Sequence, residues 1–121
     1  MKAMRLKHPG GFDKLYLGST EAAPPGPDEV TVRIHASSLN YHDYLVVLGK
    51  LPTDDGRIPM SDGAGEVTAI GSRVTEFKVG DRVVGTFFRD CRDGEPRGIH
   101  HRSSSGDGTD GFACEAITLS T

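Results

Sequence analysis

The polar run Asn40-Tyr41-His42-Asp43-Tyr44 brings an amide, an imidazole, a carboxylate and two phenols into one short stretch of chain. An imidazole can accept or release a proton near neutral pH. Amide and phenol groups donate hydrogen bonds that stabilise an oxygen as it gains negative charge. The run therefore predicts acid–base chemistry or, as the ordinary alternative, helix capping and a solvated helix face.

The segment 57–85, RIPMSDGAGEVTAIGSRVTEFKVGDRVVG, raises the question of whether its glycines hold a phosphate. A dinucleotide-binding turn has the pattern G-x-G-x-x-G between a strand and a helix. Gly63 and Gly65 are followed by Glu66 and a β-branched run, without a third glycine at the required spacing. We therefore predict that these glycines allow close backbone approach or a β-bulge and bind no phosphate.

Other reactive constellations find little support in the sequence. Ser61-Asp62 lacks the Gly-x-Ser-x-Gly pattern of a nucleophilic serine, so a turn or a side-chain-to-backbone hydrogen bond is favoured. The adjacent His100 and His101 would point to opposite sides of an extended segment. Cys91 and Cys114 have no Cys-x-x-Cys partner, which argues against a structural zinc site.

The elements that must position the polar run follow from periodicity and turn residues. Apolar and polar residues alternate over 30–37, VTVRIHAS, which predicts a strand. The segment 37–50 predicts a helix of about two to three turns, with Ser38 or Asn40 as N-cap and Gly49 as the stop signal. Further strands are predicted at 2–6, 15–20, 65–71, 81–88 and 112–120. Several short strands with one small helix predict an antiparallel barrel or sandwich.

Composition sets the class of protein. The 121 residues include 16 glycines and 7 prolines and carry a net charge of −3, which is typical of one domain with many turns. A basic face for nucleic acid, an apolar run for a membrane span and a secretory signal are not visible in the sequence. We therefore expect a cytoplasmic protein without a nucleic-acid or membrane partner. Residues 92–110 are polar apart from Ile99, so we expect a mobile loop there.

Three runs carry a family resemblance: ASSLNYHDYLVVLGKLP, IPMSDGAGEVTAIGSRVTEFKVGDRVVGTFF and DGFACEAITLS. They resemble the amino-terminal GroES-like domain of medium-chain dehydrogenases/reductases, most closely the zinc-free branch near the quinone oxidoreductases. The resemblance covers most of residues 1–121. It implies a mainly β fold, a GroES-like partly open β-barrel with one or two short helices. It also implies the substrate-side domain of an NAD(P)-dependent oxidoreductase acting on a small carbonyl, quinone or enone.

The resemblance also assigns residues. In zinc-dependent members a cysteine ligand stands where this chain has Asn40, and a His-Glu pair falls on Ser61 and Asp62, so no zinc is expected. The Ser or Thr of the family's proton relay corresponds to His42, and the Asp of that motif corresponds to Asp43. The resulting expectation is a catalytic set of Asn40, His42 and Asp43 and a substrate pocket that includes Tyr41, Ser61 and Asp62.

The Rossmann domain that holds NAD(P)H in this family is not recognisable within 1–121, and no cofactor-binding residue is assigned here. We therefore expect a fragment that is inactive alone, with a nucleotide-binding domain as its missing partner. Apolar surface left exposed where that domain would pack also favours a homodimer. The alternative is a non-enzymatic GroES-like binding or co-chaperone module, which a ring of seven subunits in solution would support.

Overall fold

The structure, a computed structural model, describes residues 1–89, 94–95 and 103–121. In this part of the chain a 3-10 helix (Phe12–Lys14) and one α-helix accompany the strands. No helix of these residues is both long enough and apolar enough to cross a membrane. The elements in chain order are β1 (Lys2–Leu6), β2 (Leu15–Ser19), β3 (Glu29–Ala36), α1 (Tyr41–Leu48), β4 (Ala64–Ile70), β5 (Arg82–Val84) and β6 (Ala116–Ser120).

The described strands form two antiparallel sheets. Strands β1 and β2 pair as a hairpin, and a four-stranded sheet has the order β5-β4-β3-β6. This mainly β arrangement with a single short α-helix confirms the predicted GroES-like class. Strands β5 and β6 are shorter than the sequence predicts, since the regular pairing of β5 ends at Val84 and that of β6 begins at Ala116.

The alternation that predicts β3 separates a core face from an exposed face. Val30 and Val32 are buried, whereas Arg33 and His35 are exposed. Burying an aliphatic side chain of this size stabilises a fold by roughly 1.5–3 kcal/mol. The buried apolar residues that pack together around this face are Val30, Val32, Val67, Val74, Phe112 and Ile117.

The glycines of the segment 57–85 allow close packing, as predicted. A Cβ atom on Gly65 would lie 2.0 Å from the carbonyl oxygen of Arg33 on the neighbouring strand β3. A Cβ on Gly63 would lie 2.5 Å from the ring of Phe112, and one on Gly85 would lie 2.2 Å from the same ring. The missing side chains therefore make room for a paired strand and for a buried phenyl ring.

Helix α1 begins and ends where its capping residues predict. Asn40 has the extended backbone of an N-cap, and Gly49 follows the helix with φ of +83°, a left-handed conformation that glycine adopts readily. The Lys50 N–H donates to the carbonyl of Leu45 at 3.0 Å, which closes the last turn. The polar first turn of α1 is thus fixed relative to the sheet.

The predicted mobile loop at 92–110 falls partly on 92–93 and 96–102, which lie outside the described residues, and its mobility stays a prediction. Its last part is packed against the domain. Ser103, Ser104 and Ser105 are 6%, 2% and 0% exposed. Arg89 donates from Nε to the Ser105 hydroxyl at 3.1 Å. Hydrogen bonds, instead of apolar side chains, hold this segment in place.

We expect Gly65→Ala to lower the free energy of unfolding by about 3 kcal/mol, because the new methyl group collides with the backbone of Arg33. Chemical denaturation monitored by circular dichroism measures this change. Gly80→Ala is the matched control, because no heavy atom lies within 4 Å of its added Cβ. The φ of +96° at Gly80 is itself unfavourable for alanine, and for this reason we expect a loss of about 1 kcal/mol in the control. Equal losses in both variants would contradict the close-packing explanation.

Candidate functional site

Four residues from two parts of the chain meet at the start of α1, and we call them the polar cluster: Asn40, Asp43, Ser61 and Asp62. Asn40 is the N-cap of α1 and Asp43 lies in its first turn. Ser61 and Asp62 lie just before β4. The sequence analysis assigned these residues to a catalytic set and a substrate pocket, and the structure places them together.

Asp43 connects the two parts of the polar cluster. Its side chain is only 2% exposed. Its Oδ2 accepts a hydrogen bond from the Asn40 backbone N–H at 2.8 Å, and its Oδ1 accepts one from the Ser61 backbone N–H at 2.8 Å. Charge-assisted hydrogen bonds of this kind are stronger than neutral ones, and a negative charge is favourable in the first turn of a helix. Asp43 therefore fixes the other members instead of facing a ligand.

The Asn40 side chain completes the polar cluster. Its Nδ2 donates to the Ser61 hydroxyl at 2.9 Å and to Asp62 Oδ2 at 3.1 Å. The other carboxylate oxygen of Asp62 accepts from the Ser38 backbone N–H at 3.0 Å. Ser61 is fully buried, and its place in the wall of a substrate pocket stays a prediction. Asn40 and Asp62 are the members that solvent or a ligand can reach.

Met60, directly before Ser61, has φ of +82°. This left-handed conformation costs a residue with a Cβ roughly 1–2 kcal/mol, and such strain often accompanies functional sites. The Met60 carbonyl accepts a hydrogen bond from the Phe112 N–H at 3.0 Å, which helps to hold it. The backbone is therefore bent sharply where it delivers Ser61 and Asp62 to the helix.

His42 lies beside the polar cluster with its ring between two carboxylates. Its Nε2 is 3.3 Å from Asp107 Oδ2. Its Nδ1 is 3.6 Å from Asp43 Oδ1, is buried and has no hydrogen-bond partner. The ring of Phe87 meets the imidazole edge-on, with 4.8 Å between ring centroids. Asp107 was not predicted as a site residue, because it lies 65 positions from His42 in a segment that the sequence predicts to be a loop.

Tyr41, predicted to line the substrate pocket, is 75% exposed. Its ring stacks on Tyr44 with 6.0 Å between centroids, and Tyr44 in turn lies 6.0 Å from the ring of Phe12. The phenol of Tyr41 therefore belongs to an exposed aromatic row on α1. Its hydrogen bonding to a substrate stays a prediction.

A groove of about 340 Å³ opens beside the polar cluster and includes the Asp62 side of it. Its walls come from 36–38, 62–64 and 84–85. A second cavity of about 390 Å³ shares Val84 and Gly85 with this groove and is otherwise lined mainly by apolar residues of β3, β5 and β6 together with Phe112. The groove at Asp62 is the one in which polar groups of the cluster can meet a small ligand.

The donor set of the polar cluster does not fit a zinc ion. Zinc sites in proteins use cysteine, histidine and carboxylate ligands. The cluster offers an amide, a hydroxyl and the Asp62 carboxylate at the positions where the resemblance places zinc ligands, and these groups bond to one another. Within 1–89, 94–95 and 103–121, no group of three His, Cys, Asp or Glu side chains could hold a metal ion. Cys91, His100 and His101 lie outside the described residues.

Cys114 is half-buried and its thiol lies 3.3 Å from the Ala116 carbonyl oxygen. Burial raises the pKa of the Cys114 thiol. Because the thiolate is the reactive form, a raised pKa makes this residue a poor nucleophile at neutral pH.

The family of the chain is shown by its sequence pattern. The pattern described as "Alcohol dehydrogenase GroES-like domain" matches residues 26–121. Because this match covers most of the chain, the chain belongs to that family. The resemblance to medium-chain dehydrogenases/reductases is thereby confirmed.

Two curated relatives share this domain. A mycocerosic acid synthase-like polyketide synthase of Mycobacterium tuberculosis is 42% identical over 90 residues, which are 73% of this chain and 4% of that protein. A zinc-type alcohol dehydrogenase-like protein of Schizosaccharomyces pombe is 38% identical over 104 residues, which are 84% of this chain and 30% of that protein. The chain spans less than a third of the length of either relative.

Solved structures agree on the fold. AibC matches with a TM-score of 0.84 and 27% identity, covering 100% of this chain and 36% of that one. A quinone oxidoreductase of Pseudomonas syringae pv. Tomato DC3000 matches with a TM-score of 0.71 and 31% identity, covering 98% and 31%. An NAD-dependent alcohol dehydrogenase matches with a TM-score of 0.79 and 28% identity, covering 99% and 37%. The chain thus covers roughly a third of each of these three structures.

We expect Asp43→Asn to lower the free energy of unfolding by about 2–3 kcal/mol, because the new NH2 group would face a backbone donor and leave it without an acceptor. Denaturation of both proteins under the same conditions measures the loss. Asp13→Asn is the control, since the Asp13 side chain is 82% exposed, and we expect a change within about 0.5 kcal/mol. A similar small change at Asp43 would show that its carboxylate does not hold the site together.

Proposed function

We propose that this chain is the substrate-side domain of an NAD(P)-dependent oxidoreductase that works without a catalytic zinc ion. The observation that carries the proposal is the polar cluster. Neutral donors and one carboxylate, fixed by Asp43, stand at the positions where zinc-dependent members of the family have their ligands. A substrate oxygen in this site would be polarised by hydrogen bonds instead of a metal ion.

The transferred hydride would come from NAD(P)H held by a separate nucleotide-binding domain. In cofactor enzymes the protein binds and orients the cofactor against the substrate. This chain offers one wall of such a cleft, and its match to 37% of an NAD-dependent alcohol dehydrogenase supports this division of labour. We therefore propose that the 121-residue chain has negligible oxidoreductase activity alone.

The residues have five roles in this proposal. Asn40 supplies amide hydrogen bonds to the substrate oxygen, exchanging a contact that it now makes with Asp62. His42 supplies or accepts a proton, a role that histidine side chains commonly have in acid–base catalysis. Asp43 holds the Asn40 backbone at the start of α1. Tyr41 and Asp62 border the substrate, and Ser61 supports them from its buried position.

The substrate class is a small carbonyl, quinone or enone compound, in which an oxygen gains negative charge as hydride arrives. The groove beside Asp62 has a volume of about 340 Å³, which suits a small molecule. The 31% identity to a quinone oxidoreductase supports a quinone or an enone, and the alcohol dehydrogenase-like relative supports a carbonyl compound.

The proposed enzyme is cytoplasmic and forms a homodimer. Large apolar side chains are exposed on several elements, among them Leu17 at 64% and Val84 at 77%. Exposed apolar surface of this kind favours association with another protein surface. Sedimentation of the purified chain tests this part of the proposal, since a monomer at all concentrations would contradict the homodimer.

The test of function uses a protein in which this chain is followed by a nicotinamide-nucleotide-binding domain. We expect it to oxidise NADH or NADPH in the presence of a quinone, an enone or an aldehyde, and the 121-residue chain to show no turnover. Asn40→Ala should lower kcat by about 10²–10³-fold, the usual effect of losing one aimed donor. Tyr44→Phe is the control, because it removes only an exposed hydroxyl on the aromatic row.

Treatment with a chelator tests whether the reaction requires zinc. Prolonged dialysis against a chelator should leave the turnover of the two-domain protein unchanged. Loss of turnover that added zinc restores would contradict the zinc-free mechanism. Turnover by the 121-residue chain would contradict the need for a second domain, and unchanged kinetics in Asn40→Ala would remove the polar cluster from the reaction.

A further inference from the structure

The charge pattern around His42 is unusual because a carboxylate faces each nitrogen of its ring. Asp107 Oδ2 lies 3.3 Å from Nε2, and Asp43 Oδ1 lies 3.6 Å from Nδ1. A neutral imidazole carries a single N–H, so one nitrogen donates and the other can only accept. Only one of the two carboxylates can therefore accept a hydrogen bond from the neutral ring. Which one accepts it determines whether Nδ1 or Nε2 of His42 is the donor.

The two carboxylates differ in their ability to accept this hydrogen bond. Both oxygens of Asp43 already accept backbone N–H groups, at 2.8 Å each. The contact from Asp43 to His42 does not amount to a hydrogen bond, since Nδ1 is buried without a partner. Asp107 lies within hydrogen-bond distance of Nε2, and its side chain is 26% exposed. The geometry thus favours a proton on Nε2.

Asp107 is held in place by its own turn. The Gly106 N–H donates to the Thr109 carbonyl at 2.9 Å, and the Asp107 N–H donates to the Ser104 carbonyl at 3.3 Å. Gly106 also packs closely on Met60, because a Cβ on Gly106 would lie 2.7 Å from the Met60 nitrogen. The position of Asp107 is therefore fixed to the same backbone that delivers Ser61.

We propose that Asp107 is a positioning residue that sets the tautomer of His42. Its carboxylate accepts the Nε2–H of the neutral ring and leaves Nδ1, the nitrogen beside Asp43, as a hydrogen-bond acceptor. The turn 106–109 is then part of the site. The effect of Asp107 on turnover rests on the proposed function, whereas its effect on the tautomer does not.

The test of the tautomer is nitrogen-15 NMR of the 121-residue chain, with two-bond correlations of the His42 ring recorded over a pH series. The series runs from about pH 5 to about pH 9, which spans the ordinary titration range of histidine. We expect the neutral ring of the unmodified chain to carry its proton on Nε2. Asp107→Asn removes the charge beside Nε2 and Asp107→Ala removes the acceptor as well, whereas the Asp43 carboxylate still faces Nδ1 in both, so we expect the proton to move to Nδ1.

Asp110→Asn is the matched control for this experiment. It makes the same chemical change in the same segment, but Asp110 contacts Arg57 and the Ile58 N–H instead of His42. We expect the Nε2–H tautomer to persist in this variant. A tautomer that changes equally in both variants would show a general loosening of the segment and would overturn the proposal.

The tautomer of His42 in the unmodified chain tests the proposal even if Asp107→Asn fails to fold. A neutral ring protonated at Nδ1 in the unmodified chain would overturn the proposal, as would folded Asp107→Asn and Asp107→Ala variants that both keep the Nε2–H form. Asp107→Glu retains a carboxylate and should keep the original tautomer.

Kinetic measurements on the two-domain protein test separately whether Asp107 affects turnover. Asp107→Asn should lower kcat about 10- to 100-fold with little change in KM, a part of the 10²–10⁴-fold that acid–base catalysis contributes. A changed tautomer with unchanged kcat would remove His42 from the reaction and leave the assignment of Asp107 intact. Absence of turnover in the unmodified protein would contradict the proposed function alone.

Discussion

The buried carboxylate of Asp43 is the constraint on which the site depends. It accepts one backbone N–H from the start of α1 and one from the residue that precedes Asp62. A buried charge is costly unless hydrogen bonds compensate it, so the carboxylate holds both backbone segments at fixed distances. The Asn40 amide can therefore meet Ser61 and Asp62 without a metal ion to gather them.

This arrangement shows how neutral side chains and one carboxylate can form a polar site at the positions where the family resemblance places metal ligands. An amide and a hydroxyl bond to each other at 2.9 Å, so these two side chains need no ion between them. The same geometry leaves Asn40 exposed beside the groove at Asp62. Hydrogen-bond donors held in advance cost little reorganisation when charge develops on a substrate. The fold thus supplies positioning, and the family membership supplies the expected chemistry.

The segment that follows residue 102 shows how a polar stretch becomes part of a folded site. Its serines are buried because backbone and side-chain partners satisfy them, not because they are apolar. The turn at 106–109 packs on Met60 and brings Asp107 to His42. A composition rich in glycine, serine and aspartate therefore does not by itself mean an exposed loop.

The sequence alone determined the features that depend on near neighbours. The alternation over 30–37 predicted β3, Asn40 and Gly49 predicted the ends of α1, and the context of Gly63 and Gly65 predicted close backbone packing. Each of these signals lies within a few residues of the structure that it specifies, where backbone geometry and side-chain period act directly.

Only the tertiary structure decided which polar groups meet. The full burial of Ser61, the two backbone partners of Asp43 and the pairing of His42 with Asp107 all join segments that are distant in sequence. The family resemblance pointed to residues 40–43 and 61–62, and it gave no sign of Asp107. The physical reason is that a hydrogen bond between residues 65 positions apart depends on how the sheet and its turns pack, which no local pattern records.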